Sequence, residues 1–361
     1  MICPNCFTDL KYKERTGRVC PHCDRGFALD PRLHGTGMHD LRIRRCAETL
    51  TDDGRLKVTI TQLWYRARTQ SSSWPAQEAR GIHRGISWSL ALAVSAGLIA
   101  LAARTGGAPA FWCGVGAVLV LVVPKLVPYE RARSAGSFIR PAEYGFRRLM
   151  TGEWTTTYGG LPPGVVNDED RNPRHAAQQP RRPRAVILCT DHAVAVFLAA
   201  NGVPARLQAV LLEADPDVAH EALVDLPGRL PVVVVHDASA MGALLAPLLR
   251  IAHPDRTVVD AGLPVAAVRS RRGAVHRFSE ATAVDADELR AVAGLSEADA
   301  AWLAAGFWSP VAAVPPARLL TVVEKAVEQA VAAESAPSGP APEHGFLTWP
   351  DAPATKGTST A

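Results

Sequence analysis

The sequence predicts a multidomain chain: a small cysteine-bearing head, a two-helix transmembrane hairpin, and a larger α/β domain built on a Rossmann-like parallel sheet. Three observations carry this reading. Two C-x2-C pairs open the chain, and two uncharged apolar runs follow with only Arg104-Thr105-Gly106-Gly107 between them. From Ala185 onward, short runs of branched aliphatic residues alternate with helical patterns.

The chain has 361 residues, enough for two or three units. Its 48% hydrophobic content is clustered, not spread. The net charge of +4 is small, and the basic excess lies in the first half, around the apolar runs. That distribution argues against a nucleic-acid-coating surface and for a basic rim on a membrane segment.

In the head, Cys3-Pro-Asn-Cys6 and Cys20-Pro-His-Cys23 are two knuckles separated by 13 residues. Each supplies a pair of thiolates from a tight turn, and four soft ligands suit a closed, tetrahedral, structural zinc site. The region resembles a zinc ribbon. Cys46, without partner spacing, reads as a small buried hydrophobe. The opening stretch is polar and cysteine-bearing, which predicts no secretory leader and reduced thiols in the cytoplasm. Residues 38–68 read as two short helices, or a helix and a strand, around Asp52-Asp53-Gly54. The head therefore spans 1–68, and 69–85 reads as a linker.

Ile86–Ala103 and Ala108–Val123 carry no charge. At about 1.5 Å per residue they reach roughly 27 and 24 Å, near the lower limit for a hydrocarbon core. Trp88, Phe111 and Trp112 sit near the ends as interface anchors, and Ser89, Ala93 and Gly97 form a small-residue stripe. Arg80, His83 and Arg84 precede the pair and Lys125, Arg131, Arg133, Arg140, Arg147 and Arg148 follow it, so both ends should face the cytoplasm. A buried helical hairpin in a soluble core is the competing reading. Residues 124–184, basic and proline-rich, read as a second linker.

In the α/β domain, 185–333, strands are expected at AVILC, LQAVLLE, PVVVV and RTVVD, with later helices at Asp285–Ala293 and Pro316–Ala333. A disordered tail, 334–361, is expected to follow. Asp191 and His192 end the first strand, and His236 and Asp237 end the third. If those strands are neighbours, the four residues share a crevice at strand carboxyl ends that suits a divalent cation. Equally, Asp191 and Ser239 serve as helix caps and the histidines as satisfied polar groups. Cys189 reads as a buried thiol in preference to a nucleophile.

The succession AVILCTDHAVAVFLAANGV, LPVVVVHDASAMG, TVVDAGLPVAAV and LSEADAAWL resembles the Toprim domain of type IIB topoisomerase A subunits and meiotic strand-break proteins. The resemblance covers roughly 185–305. It implies a magnesium or manganese site built from an acid ending the first strand and a D-x-D-x-x-G motif. Here the first acid falls at Thr190 or Asp191, and the motif keeps Asp237 and Gly242 but has Ser239 for its second acid. The family's DNA-cleaving tyrosine domain has no counterpart. The reading is a membrane-anchored scaffold or sensor with a degenerate Toprim-like domain facing a protein or nucleic-acid partner. A divalent-metal nuclease or phosphoryl-transfer hydrolase using Asp191, Asp237, His236 and His192 is the alternative. A transporter is the weakest, because the apolar runs carry no embedded charge.

Overall fold

The computed structural model describes residues 1–35, 37–74, 83–126, 136–169, 180–224, 226, 229–271, 275–278 and 284–335. The chain divides into two compact units: one combines the segments before and after Trp74–Gly136, and the other is Trp74–Gly136 itself.

The first unit begins with the two knuckles. Next come α1 (Asp40–Thr51), β1 (Val58–Thr59), α2 (Ile60–Ala67) and β2 (Gln70–Trp74). Asp52, Asp53 and Gly54 all have positive φ, which turns the chain out of α1 as the Asp-Asp-Gly sequence suggests. Thr59 and Gln62 form a capping box that starts α2.

The second unit holds α3 (Arg84–Thr105) and α4 (Gly107–Leu126). Gly85–Arg104 is long and apolar enough to cross a membrane, and only 11% of its apolar stretch is buried, unlike a core helix. The apolar part of α4, Gly107–Val122, is shorter. The two helices meet through Ala91, Ser95 and Ala117, which are buried, and the Ser95 hydroxyl donates to the Ala117 carbonyl at 3.2 Å. The expected stripe of Ser89, Ala93 and Gly97 is exposed. The packed face lies two residues away, because i, i+4 spacing also aligns Ser87, Ala91 and Ser95.

Back in the first unit, β3 (Gly136–Arg140) pairs with β2. Then α5 (Glu143–Arg148) runs through a π-helical turn at Leu149–Trp154 into α6 (Thr155–Tyr158), and β4 (Val165–Val166) pairs in parallel with β1. This corrects the expected linker at 124–184. Phe146, Met150 and Trp154 recur every four residues and are buried with Ile43, Ile60, Leu63 and Met38 in one core. The part of the stretch at 127–135 and 170–179 lies outside the described residues. The expected linker at 69–85 likewise holds β2, and its 75–82 lies outside them.

The α/β region follows as β5 (Ala185–Cys189), α7 (His192–Ala200), α8 (Val203–Leu207), β6 (Ala209–Glu213), α9 (Ala219–Val224), β7 (Val232–Val235), α10 (Ala240–Ala252), β8 (Val258–Asp260) and α11 (Val265–Val268). It ends with β9 (His276–Arg277), α12 (Ala286–Ala293), α13 (Glu297–Ala304), β10 (Phe307–Trp308) and α14 (Pro316–Ser335). The tail from 336 lies outside the described residues. The sheet order is β6-β5-β7-β8, all parallel. Alternation along the strands feeds two cores. Ile187, Cys189, Val233 and Val235 pack with α7 and α14 residues, and Val186, Leu188, Val232 and Val234 pack with Leu245 and Leu249 of α10.

The head is not a separate module. Asn201, at the end of α7, accepts from the Lys57 amide at 2.9 Å and donates to its carbonyl at 2.8 Å. Tyr65 of α2 packs against the sheet core as well as its own.

Candidate functional site

The cysteine centre is built from two loops with the same hydrogen-bond pattern. Ile2 bridges Asp9 as Val19 bridges Gly26, and the Cys3 and Cys20 amides donate to Thr8 and Arg25 carbonyls. The Phe7 and Asp24 amides return to the Cys3 and Cys20 carbonyls, and both residues have positive φ. Leu10 and Phe27 close the small core around the sulfurs. Residues 2–10 and 19–27 are thus one knuckle used twice, a repeat hidden in the sequence because only the Cys-Pro-x-Cys letters are shared.

All four sulfurs lie within 4.8 Å of one another, so Cys3, Cys6, Cys20 and Cys23 can hold a metal ion. The Cys3–Cys23 and Cys6–Cys20 separations are 3.9 and 3.7 Å. A tetrahedron with metal–sulfur bonds of about 2.3 Å has edges of about 3.8 Å, so the spacing fits the four-thiolate geometry. Burial raises the Cys3 thiol, while Thr8, whose hydroxyl lies 3.4 Å from the Cys6 sulfur, lowers Cys6 to about 6.

At the sheet, β5 and β7 are adjacent, so the two acids meet at their carboxyl ends, where the strand order reverses. Burial, and then Asp237, push Asp191 up to about 7, and burial raises Asp237. Burial, and then Asp191, Glu143 and Asp237, raise the nearby Tyr65 phenol. Each carboxylate also has a structural bond. Asp191 caps α7, accepting from the Val194 amide at 2.9 Å, and Asp237 accepts from the Val311 amide at 2.7 Å. Ser239 caps α10 through the Gly242 amide.

The two histidines turn to other partners. His192 pairs with Glu213 of β6 at 2.9 Å. His236 is buried; its Nε2 lies 3.0 Å from Asp260 and its Nδ1 2.7 Å from the Asp237 carbonyl. A carbonyl only accepts, so Nδ1 carries a proton, and the Asp260 carboxylate then favours a second one on Nε2. Burial opposes that charge, but the Asp260 bond outweighs it and the histidine is raised. Asp260 is held ionised by His236 and by the Gly262 amide at 2.8 Å. This pair lines a cavity of about 400 Å³ together with Ala243, Pro247, Leu263, Leu295 and Arg250.

Among the described residues, only the cysteines bring three or more Cys, His, Asp or Glu ligand atoms that close together. Cys189 is fully buried and its thiol is raised far above the ordinary range by burial. Sequence reasoning passed over Asp260 and Glu213. Both end strands, which is the signal that would have found them. Comparison with known proteins gives no match: no family model, curated protein or solved structure is significantly similar to the chain.

Proposed function

We propose that this chain is a membrane-anchored zinc-ribbon protein that presents a degenerate Toprim-like, Rossmann-like domain at the cytoplasmic face as a binding scaffold or sensor. The observation that carries this reading is the engagement of the strand-end side chains. Glu213 and Asp260 take the two histidines, and the Val194 and Val311 amides each take one oxygen of the two acids. The cavity beside His236 offers this region a ligand-sized apolar space.

Zinc is favoured at the four cysteines by the two C-x2-C pairs and the closed four-thiolate spacing. The membrane hairpin is supported by the connection to the first unit. The segment leaves from β2 and returns at its neighbour β3, so an excursion into lipid must cross an even number of times. Two crossings by α3 and α4 satisfy that, with both ends of the chain in the cytoplasm. The partner is a protein or nucleic acid reached from that face.

A second reading, a magnesium- or manganese-dependent nuclease or phosphoryl-transfer hydrolase, is favoured by the raised Asp191–Asp237 pair. Buried acids with shifted proton affinity are common at catalytic sites. Calorimetric titration of the full chain with magnesium and manganese separates the two. The scaffold reading expects no saturable binding beyond the cysteine-bound metal. Binding that Asp237→Ala abolishes would replace it with the hydrolase. Elemental analysis of the purified chain is expected to give one zinc per chain, lost on Cys20→Ser.

A further inference from the structure

Three arginines converge on one hollow of the head without an acid between them. Arg42 and Arg45 lie on one face of α1, and Arg66 reaches across from the last turn of α2. With His39, Cys46 and Thr49 they line a cavity of about 420 Å³. None of the three has a carboxylate within 4.0 Å among the described residues, although ion pairs occur elsewhere on the same unit. Asp40, the acid beside them in sequence, is buried and turned away, accepting from the Ala28 and Leu29 amides at 2.8 and 2.7 Å. Arg42 is held in place by donating to the Ala67 carbonyl at 3.4 Å, and its Nε is buried without a partner.

Structural arginines of this unit look different. Arg147 is locked between Asp168 and Glu143, and Arg44 lies over the Tyr158 ring and donates to the Pro4 carbonyl. Three permanent cations held around one hollow repel each other, and a fold keeps them there at a cost unless an anion joins them. The planar guanidinium fork matches phosphate oxygens in pairs, and three forks exceed what one carboxylate can accept. The hollow is lined by no Phe, Tyr or Trp on which bases could stack, so a compact phosphoryl group fits better than a nucleic-acid strand.

We propose that Arg42, Arg45 and Arg66 form a binding site for a phosphoryl group, carried by a small soluble phosphate compound or by an anionic lipid headgroup. This site is independent of the metal at the cysteines, and the lipid arm of its test rests on the membrane anchoring proposed above.

The test uses the full chain in phosphatidylcholine nanodiscs, titrated calorimetrically with inorganic pyrophosphate. Saturable one-to-one binding is expected, weakened about tenfold by Arg45→Ala or by Arg66→Ala, which remove one bidentate charge each. Both side chains are exposed, so neither change disturbs a core. Arg55→Ala, which removes a guanidinium paired with Asp52 and outside the cavity lining, should leave binding unchanged. Replacing part of the lipid with phosphatidylglycerol tells the sources apart. Weaker pyrophosphate binding there assigns the site to a headgroup, and unchanged binding assigns it to a soluble phosphate. No binding, binding as tight as the parent's in both pocket variants, or an equal loss in Arg55→Ala overturns the proposal. So does a single-stranded oligonucleotide that needs the same arginines and is not displaced by pyrophosphate.

Discussion

Asp191 keeps a proton in the folded chain that an ordinary aspartate has lost by neutral pH, because burial and Asp237 both oppose its charge. The folded state therefore binds more protons than the unfolded chain between the ordinary carboxylate range and about pH 7. Its contribution to stability falls as the pH rises through that window. Asparagine in its place still accepts the Val194 amide and carries no charge to bury. Asp191→Asn is expected to be more stable than the parent at pH 8 by on the order of 1–2 kcal/mol, discounted for its partial exposure. The gain should shrink as the pH is lowered towards 5, and thermal melts across that range check it. A variant less stable at pH 8 would contradict the account of the pair. Two glycines explain how His236 is held nearby. A Cβ on Gly262 would lie 2.1 Å from its Nε2, and one on Gly242 would lie 2.3 Å from the Asp237 carbonyl oxygen and 2.7 Å from the His236 Nδ1. Gly242, which the family resemblance tied to a metal motif, here makes room for an imidazole and a main-chain oxygen.

At the scale of elements, the segment from Glu143 to Tyr158 shows how charge can mask a core helix. Arg147, Arg148, two glutamates and four threonines give it a polar composition, yet Phe146, Met150 and Trp154 point into the same core as Ile43 and Leu63. Arg147 is itself nearly enclosed, its guanidinium shared by Asp168, Glu143 and Thr61. At the surface, Glu153 receives Arg18 and lies 3.4 Å from His34, tying this helix to the cysteine-bearing head. Trp154→Ala should cost about 3–5 kcal/mol, the usual range for emptying a fully buried tryptophan site. Denaturant unfolding followed by circular dichroism measures it, and a change below about 1 kcal/mol would mean that the segment is not part of this core. The α3–α4 contact teaches the same lesson with small residues: the composition is right in two registers, and only packing selects Ala91 and Ser95 over Ala93 and Gly97.

For the whole molecule, what the sequence made legible was what local periodicity or fixed spacing encodes. The cysteine quartet, the long apolar helix and the four parallel strands at AVILC, AVLLE, VVVV and VVD stand where their patterns put them. What it hid was long-range. Nothing near Lys57 announces Asn201, and nothing near Val58 announces Val165 as its strand partner. The strand-end cluster was legible only as far as the acids, because the partners of His192 and His236 come from other strands. The head core draws on residues from both sides of the second unit. Residues 1–73 made alone are therefore expected to lack a cooperative unfolding transition and to aggregate, since Ile43, Ile60 and Leu63 lose their cover. A sharp thermal transition in that fragment would refute the shared core.

The interruption of one core by another unit also sets a clock on biosynthesis. All of Trp74–Gly136 must leave the ribosome before Phe146 or Trp154 can reach Ile43. At about 5–20 residues per second that is a wait of roughly 3–13 s. During it the first helices stand incomplete, their apolar faces uncovered until the later segment arrives.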